Sequence, residues 1–118
     1  MSNEPTIEQK NETICDFMGG YRKIERPDYH INVYKGPDGI EWETGTYLKY
    51  HSDWNWLMPV FRAIREKAFA LRNDEKANKL LAKLNTQLLF GTIANVHLHA
   101  FRFIEYINNQ STTANEQN

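Results

Sequence analysis

The chain is poor in several features that would declare a class. It has a single cysteine, Cys15, so an intramolecular disulfide is excluded, which suits a reducing compartment. Alone, Cys15 reads as a small buried hydrophobe. No window approaches the roughly 18 consecutive apolar residues of a membrane span. The first residues carry no basic stretch followed by an apolar run, so neither a spanning helix nor a signal peptide is expected, and the cytosol is the default location. An excess of charge is missing too, with 14 Lys+Arg against 15 Asp+Glu and a net charge of -1. Nucleic-acid binders need a basic face to displace counterions from phosphate, and this balance supplies none overall. Gly19-Gly20, Gly36 and Gly39 mark turns, never the strand-glycine-helix order that cradles a phosphate.

What is present describes one globular domain. At 118 residues the chain can bury one core, and its 41% hydrophobic and 13% aromatic content separates it from disordered compositions. Ile7, Ile14, Phe17 and Met18 form one stripe at helical spacing, so residues 5–18 read as an amphipathic helix that Gly19-Gly20 ends. The period then changes to two. Ile31 and Val33, Ile40 and Trp42, and Leu48 and Tyr50 alternate with polar neighbours, predicting three strands of a meander that bury those six side chains on one face.

Three more helices are expected. Ser52 is placed to cap the first, whose Trp54, Leu57, Met58, Phe61, Ile64, Ala68 and Leu71 form the stripe turned to the sheet. Trp56 stands about 200° from Trp54 around that helix and belongs with Val60 and Ala63 on another face. Pro59 implies either a kink or a helix that starts there. Ala77, Leu80, Leu81, Leu84 and Leu88 give the next helix, with residues 84–90 open between helical and extended. Thr92 caps the last, along which Ile93, Val96, Ala100, Ile104 and Ile107 share a face. The fold class is α+β: a small antiparallel meander packed, sandwich-like, against three to four helices. Residues 1–108 form the domain, and the polar tail 109–118 is expected to be disordered.

Chemistry is thinly signalled. His51-Ser52-Asp53 gathers an imidazole, a hydroxyl and a carboxylate in one turn, the pattern a small hydrolase or metal-dependent enzyme would use. Adjacent residues rarely converge as a triad, and Ser52 with Asp53 already serves as a helix cap. His97 and His99 would chelate one ion from a strand, but they diverge on the helix their surroundings predict. Tyr34, Tyr47, Trp56 and Tyr106 beside Lys35, Lys49 and Arg102 would stack bases if exposed, though core packing is the commoner role. No catalytic residue, metal ligand or cofactor is assigned. The surplus aromatic surface of Trp56, Val60, Phe103 and Tyr106 is instead expected to contact a protein partner or a second copy, with additional core as the alternative.

Three segments carry a family likeness: residues 11–19 (NETICDFMG), residues 48–60 (LKYHSDWNWLMPV) and residues 103–108 (FIEYIN). On these the chain resembles small proteins of bacteriophages, prophages and mobile elements of Bacteroidetes, and is similar to the family described as the phage ABA sandwich domain. Such proteins often carry Trp-Tyr where Tyr106-Ile107 stand here, and residues 73–90 lie outside the likeness. The resemblance implies a compact α+β domain, encoded on a mobile element and working in a bacterial cytoplasm, while the missing catalytic set and the surplus aromatic surface around Trp56 lead to the expectation of a non-enzymatic accessory protein. The likeness carries no activity and no catalytic residues with it.

Overall fold

A computed structural model describes residues 4–117, with side chains described to Gln110. Helix α1 (Ile7–Phe17) opens with a reciprocal capping box: Thr6 Oγ1 accepts from the Gln9 amide at 3.1 Å, and Gln9 Oε1 accepts from the Thr6 amide at 2.8 Å. It closes through Gly19, whose φ of +79° is the left-handed conformation that glycine adopts without steric cost. Strand β1 (Tyr21–Glu25) pairs antiparallel with β2 (His30–Lys35), setting Tyr21 against Tyr34 and Ile24 against Ile31. A glycine-bounded turn at residues 36–39 leads to the short β3 (Glu41–Trp42), which pairs with β2 at Tyr34 and Lys35. The sheet order is β1-β2-β3.

The α+β class is therefore found, with a sheet built from partly different strands than periodicity suggested. Residues 47–50 are not a strand. A 3-10 turn (Gly45–Tyr47) occupies that place, and Leu48 and Tyr50 are buried in the core from irregular chain. Alternation reports which side chains turn inward, and an extended loop against a helix meets that condition without a pairing strand. Ile40, expected inside, is half exposed, because the sheet's third strand is only two residues long.

Helix α2 (Trp54–Ala70) contains Pro59 within one continuous run. Its N-cap is Asp53, not Ser52: Asp53 Oδ1 accepts from the Asn55 amide at 2.9 Å. Helix α3 (Glu75–Phe90) is helical throughout, which settles the ambiguous leucine run, and Asp74 caps it by accepting from the Ala77 amide at 3.1 Å. Helix α4 (Ile93–Gln117) starts under Thr92, whose hydroxyl accepts from the Asn95 amide. Beyond Gln110 the side chains of the expected tail lie outside the described residues.

One apolar cluster joins all these parts. Ile14 and Cys15 from α1, Tyr34 from β2, Leu48 and Tyr50 from the loop, and Leu57, Val60, Ile64, Leu84, Phe103 and Ile104 from the other helices meet in it. Helix α2 buries Leu57, Phe61, Ile64 and Ala68 of its expected stripe, but the buried face is shifted around the helix at its first turns. Trp56 and Val60 point inward, whereas Trp54 and Met58 point out at 42% and 40% exposure. The Trp56 ring meets Tyr50 edge-on at 5.2 Å and lies over Gly36 so closely that a β-carbon there would fall 2.2 Å from it. That seat, which only a glycine leaves open, turns Trp56 into the core and so fixes the helix phase.

Candidate functional site

Two regions gather functional side chains. The first is a corner where α1, the turn before α2 and α4 meet on one amide. Asn11 is 1% exposed, and its side chain spans three segments. Nδ2 donates to the Leu48 carbonyl at 3.1 Å and faces His51 Nδ1 at 2.9 Å, while Oδ1 lies 2.7 Å from His97 Nε2. Because the Leu48 carbonyl can only accept, the amide orientation is determined by its surroundings. His51 Nδ1 must then accept and His97 Nε2 must donate, so one asparagine sets the tautomer of two imidazoles whose centres are 6.0 Å apart. Burial first, then the charges of His51 and Lys10, push the His97 pKa down to about 4, so this ring is neutral across the physiological range.

Chemically this corner is closed. The His51 lone pair that would serve as a base is spent on Asn11, Ser52 is exposed, and the Asp53 carboxylate is the α2 cap. His51, Ser52 and Asp53 thus do not converge on a reacting position, and no described cavity is lined by His51 or Asp53. His97 and His99 point in different directions from α4, the first to Asn11 and the second half buried elsewhere. Among the described residues no three His, Cys, Asp or Glu side chains group in a way that could hold a metal ion. Cys15 is fully buried, with Sγ donating to the Lys35 carbonyl at 3.5 Å, and desolvation raises its thiol pKa.

The expected interface residues need correction. Trp56, Val60 and Phe103 are buried inside the domain and offer no surface to a partner. Tyr106 is partly covered, and its hydroxyl donates to Asp74 Oδ2 at 2.6 Å, tying α4 to the α3 cap. A chain this aromatic fills its own core first, and Gly36 supplies the seat that draws Trp56 inward.

The second region is what α2 turns outward instead. Trp54, Met58, Arg62, Arg65 and Phe69 fall within about 80° of arc at 100° per residue, a single ridge along the helix. All are exposed, Phe69 at 71%. Arg65 lies over the Phe61 ring at 5.0 Å, and Arg72 over Phe69 at 5.0 Å. Arg62 has no ion pair among the described residues.

Asn11 escaped the sequence reading although one signal was there. It stands at the i+4 position between Ile7 and Ile14 on the apolar stripe, where an amide must have a buried partner. No family model matches the chain, and no curated protein or solved structure matches it.

Proposed function

We propose that this protein is a non-enzymatic accessory protein that acts by contact with another polypeptide, in the bacterial cytoplasm and in the service of a phage or mobile element. The observation that carries the contact reading is the outward ridge of α2, where two aromatics and a methionine remain exposed beside two arginines on a helix whose opposite side is already core. Aromatic and arginine side chains are enriched at the centres of protein interfaces, because rings bring large contact area with few rotamers to freeze and the guanidinium brings a planar set of donors that also stacks on rings. The closed imidazole corner supports the non-enzymatic part. Among the described residues no helix is long and apolar enough to cross a membrane.

The test pairs sedimentation velocity with capture from a bacterial host. The full chain is expected to self-associate or retain a specific partner, and the Trp54→Ser/Phe69→Ser double variant to lose that contact with its unfolding midpoint unchanged. A wild-type chain that stays monomeric and retains nothing would overturn the reading. Retention of single-stranded DNA through Arg62 and Arg65 would replace it with a nucleic-acid role. Neighbouring genes for replication, packaging or defence are the expected setting.

A further inference from the structure

The ridge has a chemical complement on the same chain. A groove of about 540 Å³ runs between α1, the β1-β2 pair and α4. Glu12, Asp16 and Glu105 supply its charge, and Tyr21, Tyr34 and Phe101 its aromatic walls. The two tyrosines are cross-strand partners with ring centres 5.1 Å apart. Neither the Asp16 nor the Glu105 carboxylate has an ion pair or side-chain hydrogen bond among the described residues. Glu12 commits one oxygen, Oε2, to the Gly45 amide at 3.0 Å.

A second observation separates this groove from a merely acidic patch. Tyr34 is only 9% exposed, yet its hydroxyl has no hydrogen-bond partner among the described residues. Tyr21, by contrast, donates its hydroxyl to Asn32 Oδ1 at 2.8 Å. Among the described residues no buried side-chain nitrogen or oxygen lacks a partner, so the Tyr34 hydroxyl is itself accessible, on a residue that lines this groove. Burial, and after it the nearby Glu12 carboxylate, push this phenol up to about 12, which keeps it protonated and places it in the groove's negative field. Phe101 already receives a cation, with Lys10 Nζ 5.9 Å from its ring centre.

Carboxylates over aromatic faces, with a hydroxyl free to accept, are the surroundings a guanidinium prefers. We propose that this groove receives the arginine-bearing ridge of α2, Arg62 and Arg65, from a second copy of the chain. The inference rests on the contact reading above and names its partner. Charge complementarity selects the occupant: groove and ridge have opposite sign on a chain whose net charge is only -1. Each copy carries both surfaces, so the contact forms reciprocally in a two-fold dimer or head to tail in a ring or open chain of copies.

Charge reversal tests this directly with full-length protein. The groove variant Asp16→Lys/Glu105→Lys and the ridge variant Arg62→Glu/Arg65→Glu are each expected to weaken self-association by about tenfold or more, since each now faces like charge. Mixed together they are complementary at both contacts, and association returns. Tyr34→Phe, which leaves every charge in place, is expected to weaken it about three- to tenfold through loss of the groove's acceptor. Unfolding midpoints guard against misfolded variants, and a fall in wild-type association with added salt provides a readout free of any substitution. Failure of the mixture to restore association overturns the proposal. If only the ridge variant loses association, the groove is not the receptor, although the contact reading survives. If the wild-type chain is monomeric but the groove variant loses a host partner, the occupant is another polypeptide and the second-copy proposal falls.

Discussion

Trp54 and Trp56 stand two residues apart on one helix in opposite surroundings. Trp56 is seated on Gly36 and against the edge of Tyr50, at 5% exposure. Trp54, 42% exposed, begins a ridge that ends in an aromatic carrying its own arginine. The inner side of α2 belongs to stability, as does the Asn11 corner beside it. The outer side contributes little to folding and is therefore free to serve contact.

The contrast is broken most severely by Trp56→Ala, which empties the seat over Gly36 and is expected to cost about 3–5 kcal/mol in a denaturant titration. Asn11→Leu comes next. It leaves the His97 donor and the Leu48 carbonyl without partners in a dry site, and a loss of about 2–4 kcal/mol is expected by the same measurement.

Acid probes the same corner. His97 has a folded pKa of about 4 against an ordinary value of 6.5, so between these limits the unfolded chain binds the extra proton. Its contribution is complete above pH 6.5 and is lost as the pH falls towards 4, at about 3 kcal/mol in all. Unfolding midpoints measured across that window for the wild type and for His97→Gln are expected to converge at low pH. A smaller effect follows at the seat itself, where Gly36→Ala drives a methyl group into the Trp56 ring and should cost about 1–3 kcal/mol.

Much of this architecture was legible in the sequence. The helical stripes of α3 and α4, the stop at Gly19-Gly20, the turn at residues 36–39 and strand β2 all follow from periodicity and turn chemistry. Strand β1 did not, because Tyr21 and Ile24 are three apart and the edge strand between them is charged, leaving no period of two to detect. The first turns of α2, where Trp56 and Val60 replace Trp54 and Met58 in the expected stripe, depart from periodicity for a different reason. Apolar residues surround that helix, and only the tertiary contact between Trp56 and Gly36 decides which of them face inward. The candidate site suffered most: the imidazole and carboxylate were visible as neighbours in sequence, but Asn11 and His97, which determine what His51 can do, come from 40 and 86 residues' separation along the chain in their shared bonds.

The most direct measurement is Trp54→Ala, followed by sedimentation velocity and by chemical unfolding on the same sample. The account predicts stability within about 0.5 kcal/mol of wild type together with loss of self-association or partner capture. A variant that unfolds early yet keeps its contacts would contradict it.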